Sequence, residues 1–275
     1  MKKIFLIAAF AALAPLPEAI AWGRLGHATV ACIAERHLTQ KTKASLDKYL
    51  GGNSIVYYAS YMDDFKPQML VDLGYNPVNG PRMHMLPHTF SVGADGEVIR
   101  GNRLPGERFL ANCLYYAEQA ADRLKNHIRE MDDSTRMACI QVIVHSLGDM
   151  HCPGHIRYPG NQSIGYFNVV LKGTEIRYHT IWDTPILQSP HPWSFSDLAY
   201  LLDRCTEEER EAATTGDIYD WGRESAAVSM CIYDVKEGDE LGHDFLMKYK
   251  PLAEEQIAKA GYRLAKILND IFDRE

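Results

Sequence analysis

After its first 21 residues the chain has no apolar run approaching the roughly 18 residues a membrane span requires, so no spanning helix is expected in the remainder. It also lacks an excess of positive charge: 29 Lys and Arg stand against 36 Asp and Glu, a formal net charge of −7. A protein that grips long polyanions by counterion release is usually basic, so any phosphate-bearing substrate must be held locally, and bound cations can do that. No internal repeat, low-complexity tract or linker divides the sequence. What remains is a 275-residue chain with 46% hydrophobic residues, enough to fill the core of one large domain.

The first 21 residues read as a secretory signal of bacterial type. Lys2 and Lys3 precede an apolar stretch from Ile4 to Leu16, and Ala19-Ile20-Ala21 offers a small-residue cleavage site. The mature protein is expected to run from Trp22 to Glu275, with a net charge of −8 once two lysines and one glutamate are removed, and to be secreted or periplasmic. Six cysteines, an even number, would meet an oxidising compartment, but their pairing does not follow from the sequence. Cys32 and Cys139 fall at helical core positions. Cys152, beside His151, is either a structural thiol or a metal ligand.

The chain is organised around Val144-His145-Ser146-Leu147-Gly148-Asp149-Met150-His151-Cys152-Pro153-Gly154-His155. Ile140, Ile143, Val144 and Leu147 predict a helix over 139–150, which places His145 and Asp149, four apart, on one face. Pro153 and Gly154 stop it and leave His155 on a turning loop, able to reach a second metal. A second pair at the same spacing, His179 and Asp183, follows. Between them, Gly165 to Tyr178 predicts a β-hairpin turning at Lys172-Gly173, which would carry the chain back from His155 to His179. Two His-x3-Asp pairs and an additional histidine are a metal-site pattern.

Other candidates lie elsewhere. Trp22-Gly23-Arg24-Leu25-Gly26-His27 opens the mature chain. A histidine near a terminus ordinarily just begins a helix, but signal cleavage would also create an α-amine, with a pKa of about 7.7–8.0, able to chelate a metal with its own carbonyl oxygen. A helix over 55–62 runs into Asp63-Asp64-Phe65-Lys66-Pro67, either a solvated helix end or a metal ligand with Lys66 as phosphate contact. The loop 75–82 delivers Met83-His84-Met85-Leu86-Pro87-His88, in which either histidine could face a site. Asn161 sits on a loop and could donate to a phosphate. An irregular excursion is expected over 91–108, a helix over 110–127, and helices over 195–202, 207–214 and 218–233. A long last helix is expected with Pro251 in its first turn.

Taken together, these residues resemble the S1/P1 nuclease family, single-strand-specific nucleases with three zinc ions, and their bacterial members. The resemblance runs from Trp-Gly-x-x-Gly-His through Asp63 and His84 to His145-x3-Asp149-x5-His155 and His179-x3-Asp183, and includes the run Gln256 to Ala265. It implies a mainly α, single compact multi-helix domain with a short β-hairpin, of the phospholipase C/nuclease type. It implies one zinc on Asp63, His84, His145 and Asp149, a second on His155, His179 and Asp183, and a third on His27 and the Trp22 amine and carbonyl, with Asp149 bridging the first and third.

By the same resemblance, a zinc-bound hydroxide attacks phosphorus in line, the third zinc stabilises the departing 3′ oxygen, and Asp63 orients the attacking water as well as binding zinc. The implied activity is hydrolysis of single-stranded DNA or RNA to 5′-mononucleotides, with 3′-nucleotidase action; separately, a monomer is expected, since no stretch of the sequence marks an interface. Departures also show. The family's arginine three residues after its Asp ligand is Lys66 here, a point charge without the bidentate fork. The aromatic and acidic places that hold a base fall on Met85 and Pro87, while His88 is the alternative to His84 as ligand. Two other functions fit the same ligands: a zinc-dependent phospholipase C, and a zinc-binding protein without catalysis.

Overall fold

The structure is a computed structural model and describes residues 22–64, 88–100, 102–103, 109–110, 112–160 and 167–273. Eleven α-helices, three 3₁₀ turns and seven short strands make up the regular elements among these residues, so the chain is mainly α, as expected. In order the helices are α1 (Arg24–Arg36), α2 (Gln40–Tyr49), α3 (Ile55–Tyr58), α4 (Tyr61–Asp64), α5 (Cys113–His127), α6 (Asp133–Asp149), α7 (Tyr178–Asp183), α8 (Phe195–Leu202), α9 (Glu207–Ala213), α10 (Ile218–Ser229) and α11 (His243–Phe272). Among the described residues no helix is long and apolar enough to cross a membrane.

Helix α6 is the centre of the packing. Its N-terminus is capped by Asp132, whose side chain accepts from the Thr135 amide, and every residue from Ala138 to Asp149 is buried. A helix buried all round normally carries apolar residues only. This one buries Gln141, His145, Ser146 and Asp149, a cost that needs compensation. Helix α5 lies along α6, α11 packs on both α1 and α6, and α1 also contacts α3 and α8. The core is continuous through Ile33, Leu114, Ile140, Ile143, Leu147, Trp182, Ile257 and Leu264.

Short strands fix the connections that matter. Strand β1 (Phe90–Ser91) pairs in parallel with β4 (Ile156–Arg157), Phe90 opposite Ile156, so His88 and Thr89, just before β1, lie beside the turn that ends in His155. Strand β2 (Asn102–Arg103) pairs antiparallel with β3 (Phe109–Leu110). The predicted hairpin is formed by β5 (Asn168–Leu171) and β6 (Thr174–Arg177). Lys172 and Gly173, both at positive φ (50° and 82°), make the tight turn that matches the twist of two antiparallel strands. Strand β7 (Glu240–Leu241), which sequence periodicity does not reveal, adds to the hairpin parallel to β5.

Several boundaries change: the helix expected over 110–127 starts at Cys113, with Leu110 in β3, and the one expected over 139–150 starts at Asp133. Residues 55–62 form two short helices, α3 and α4, rather than one. The stretch 218–233 is α10 followed by a 3₁₀ turn over Met230–Asp234. Pro251 is not in the first turn of the last helix but inside it, because α11 begins at His243. Burial of Leu246 and Tyr249 before the proline holds those residues helical despite the missing N–H. All six thiols stand free; Cys113, Cys139 and Cys152 are buried, Cys32 and Cys205 partly so, and Cys231 is exposed.

Candidate metal centre

The end of α6, the turn after it, α1, α4 and α7 converge on one buried cluster. Asp149 lies at its centre. Its Oδ2 is 2.9 Å from His88 Nδ1 and 3.2 Å from His145 Nε2. Its Oδ1 is 3.4 Å from His27 Nε2 and 3.5 Å from His155 Nδ1. The two oxygens of one carboxylate therefore face two different groups of donors.

The first group is Asp63, His88, His145 and Asp149. His145 Nε2 is 3.2 Å from His88 Nδ1 and 3.5 Å from Asp63 Oδ1, and His88 Nδ1 is 3.7 Å from Asp63 Oδ1. A zinc tetrahedron with bonds of about 2.0–2.1 Å has edges of about 3.3–3.4 Å, and these separations bracket that value. The second group is His155, His179 and Asp183, with His155 Nε2 3.2 Å from His179 Nε2 and His179 Nε2 3.3 Å from Asp183 Oδ1. In the third, His27 faces Asp149 with its ring stacked on His145 at 4.3 Å between centroids.

The side chains fit a metal by a direct criterion. His27 Nδ1 and Nε2, both Asp63 oxygens, His88 Nε2, Asp149 Oδ1, His155 Nδ1 and Asp183 Oδ1 are buried without a hydrogen-bond partner, a density of orphaned atoms that folded proteins avoid. Elsewhere in the cluster the rings are oriented from behind. His145 Nδ1 donates to the Ala59 carbonyl at 3.0 Å, and His179 Nδ1 donates to the Gly154 carbonyl at 3.1 Å, so each presents Nε2 inward as a lone pair when neutral.

Charges follow from the same crowding. Burial pushes the Asp149 carboxyl up, but His145 and His88 overcome it and hold it well below the usual range. Burial pulls His145 down, yet the Asp149 charge and hydrogen bond, helped by Asp63, raise it to about 9. Burial, then His155, lowers His179 to about 3. Burial, then the charges of Asp63 and Asp149, pushes Asp183 well up. Without a bound cation, the carboxylates cannot all be charged at low cost.

Local sequence explains how each residue arrives. Gly148 has no side chain where a Cβ would meet His27 Nδ1 at 2.6 Å, so α1 can press His27 against α6. The Gly23 amide donates to the Asp183 carbonyl at 2.7 Å, which ties the segment at Trp22 to the end of α7, and the Trp22 side chain is buried. His88 is brought in by the β1–β4 pairing. His88, which the sequence offers as the alternative to His84, faces Asp149 in this cluster; His84 itself lies outside the described residues, as do Lys66, Met85 and Asn161.

Cys152 also closes on the second group: its Sγ and ligand atoms of His155 and Asp183 lie within 4.8 Å of one another. Burial, then Asp183, pushes its thiol well up, while the amides of Gly154 and Trp22 bond to it. Neither the Gly148 gap nor the carbonyl supports at Ala59 and Gly154 carries a sequence signal beyond the small residue after Leu147.

A profile of the family S1/P1 Nuclease matches residues 22–273. The chain belongs to the S1/P1 nuclease family. Among its relatives, Nuclease S1 of Aspergillus oryzae (strain ATCC 42149 / RIB 40) is 27% identical over 98% of both chains. Endonuclease 4 of Arabidopsis thaliana is 22% identical over 92% of this chain and 90% of its own. Nuclease PA3 of a Penicillium species is 24% identical over 92% of this chain and 99% of its own. S1/P1 nucleases are in general zinc-dependent, which agrees with the chemistry of the buried donors. A phospholipase C or a non-catalytic zinc carrier is not favoured by these matches.

Proposed function

We propose that this S1/P1 nuclease is a secreted or periplasmic phosphodiesterase, processed to Trp22, that cuts single-stranded DNA and RNA to 5′-mononucleotides, removes 3′-phosphates from mononucleotides and uses three zinc ions. The observation that carries the reading is Asp149, whose two oxygens face separate donor groups and so can bridge two metals. Asp63, His88, His145 and Asp149 would hold one zinc, His155, His179 and Asp183 the second, and His27 with the Trp22 amine and carbonyl the third. When bound, zinc neutralises phosphate charge and makes water acidic enough to attack at neutral pH.

The chain's own groups divide the remaining work. Asp63 has both oxygens unpartnered, so one can bind metal while the other accepts the proton of the attacking water. Lys66, three residues on, would meet a phosphate oxygen as a point charge. With His88 as ligand, the places that hold an aromatic and an acidic residue in the family shift from Met85 and Pro87 to Thr89 and Ser91, both half-buried. Base contact is then made by small hydroxyl groups, and Asn161 is the remaining candidate for phosphate contact. The start of the family match at Trp22 supports residues 1–21 as a signal peptide.

The test compares hydrolysis of single-stranded DNA, a 3′-mononucleotide and a choline phospholipid by the processed protein. Release of 5′-mononucleotides from DNA and of phosphate from the nucleotide is expected. Lipid hydrolysis without nucleolytic activity would overturn the assignment.

A further inference from the structure

Two features of the sequence take no part in the metal centre: His151, inside the ligand-bearing stretch, and the run Gln256–Ala265 on α11. The fold brings them together. His151 is completely buried, and its Nδ1 is 2.8 Å from the carbonyl of Leu147, one turn back at the end of α6. Its Nε2 is 2.9 Å from Nη1 of Arg263, which is 1% exposed. A guanidinium only donates. Arg263 therefore makes Nε2 the acceptor, which leaves the proton on Nδ1 and makes the ring a donor to Leu147. The histidine caps the C-terminal end of α6 with its side chain, in a tautomer that Arg263 dictates.

Arg263 is itself fixed on its other edges. Nε donates to the Ala213 carbonyl at 2.8 Å, Nη2 pairs with Glu224, and the guanidinium carbon lies 5.4 Å from the Trp221 ring centre. Glu224 also takes Lys259 Nζ at 2.6 Å. A satisfied network, buried at His151 and Arg263 and reaching the surface at Glu224 and Lys259, thus runs from α10 and α11 to the segment between Asp149 and His155, with no member among the metal donors. His151 is two residues from the carboxylate that faces both donor groups and four from His155, so a small shift of this segment moves ligands of all three groups.

We propose that Arg263 and His151 are positioning residues for the metal centre: Arg263 sets the His151 tautomer, and His151 locks the end of α6 and the following turn so that Asp149 and His155 keep their spacing. The inference rests on the reading of these residues as zinc ligands. Outer-shell partners of this kind typically contribute about 10–100-fold in metal affinity or activity.

The experiment titrates zinc out of the full-length processed protein with a chelator and measures zinc retained per folded chain. The variants are His151→Leu, Arg263→Met, the double variant and His151→Gln, with Leu124→Ala as a core variant that lowers the melting temperature without touching the network. His151→Leu and Arg263→Met are each expected to lose zinc at chelator concentrations about tenfold lower than wild type. The double variant should be little worse than either, because the two act through one another. His151→Gln, whose amide can accept from Arg263 and donate to Leu147, should recover part of the loss. Leu124→Ala should melt earlier with zinc retention unchanged. With zinc saturating, kcat should fall while KM stays near wild type.

Wild-type retention with unchanged retention in both single variants overturns the inference alone; a wild-type protein that holds no zinc overturns the reading beneath it. If one single variant does not fold, the other decides, and if neither folds, Arg263→Lys, which cannot hold Ala213, Glu224 and His151 at once, decides: wild-type zinc retention with a lowered melting temperature marks a structural role only and overturns the inference.

Discussion

Helix α1 brings a histidine to an aspartate at each of its ends, and the two encounters differ in one respect that decides their chemistry. At the C-terminal end, His37 Nε2 bonds Asp203 at 2.7 Å and His37 Nδ1 takes Arg210 at 2.8 Å, while Arg36 pairs with the other Asp203 oxygen at 2.7 Å. Every group there has a partner and protein supplies the positive charge. At the N-terminal end, His27 lies 3.4 Å from Asp149, and neither of its ring nitrogens has a hydrogen-bond partner. Around Asp149 stand four histidines, with Asp63 and Asp183 nearby, and several of the facing atoms have no hydrogen-bond partner, an arrangement that a bound cation satisfies. Proximity of His to Asp does not mark a metal site; buried lone pairs left without protons do.

Removing the shared carboxylate should break the comparison most sharply. Asp149→Asn is expected to lower nuclease activity by more than about 100-fold, beyond the 10–100-fold typical of outer-shell partners, and to release zinc measurable by elemental analysis. The matching change at the other end, His37→Gln, should leave zinc content and activity near wild type and cost about 1.5–3 kcal/mol in denaturant unfolding, the worth of hydrogen bonds to charged groups. Equal zinc loss in the two would erase the distinction.

A smaller effect is expected where α1 meets α6. In Gly148→Ala the new Cβ, 2.6 Å from His27 Nδ1, must push the ring away from Asp149. One zinc per chain should be lost with most activity, while the fold survives; a crystal structure of the variant with His27 in place and full zinc content would refute the contact's importance.

The mildest prediction concerns pH. In the metal-free chain His145 is raised to about 9, so it carries a proton at neutral pH that zinc must displace from Nε2. Apparent zinc affinity should therefore rise by about tenfold per pH unit as pH approaches 9 and then level off. The protonated pair His145–Asp149 stabilises the metal-free fold fully below the reference pKa of about 6.5, and that stability is lost as pH rises through 9. Competition titrations between pH 6.5 and 9 read the slope, and a flat line would contradict the pairing.

The ligand helix with its His-x3-Asp pair, the second such pair on α7 and the hairpin between them were legible because each depends on local periodicity or a two-residue turn. His88 was legible only as an alternative to His84; what brings it to Asp149 is Phe90 pairing with Ile156, a contact between residues far apart in sequence. Helix α11 starts ahead of Pro251 because Leu246 and Tyr249 are buried, which a local rule about proline does not contain. Gly148 reads as an ordinary small helical residue until His27 is found against it. Arg263 and His151 looked unrelated, at positions 112 residues apart, until α11 packed on α6.

The central claim is that three donor groups built around Asp149 and the Trp22 terminus hold three zinc ions that carry out phosphodiester cleavage. The most direct measurement is zinc per chain by elemental analysis on protein processed to Trp22, paired with 5′-mononucleotide release from single-stranded DNA before and after chelation. About three zinc ions per chain, with release abolished by the chelator and restored by zinc, is the predicted result. Cleavage that persists after all zinc has been removed would contradict it.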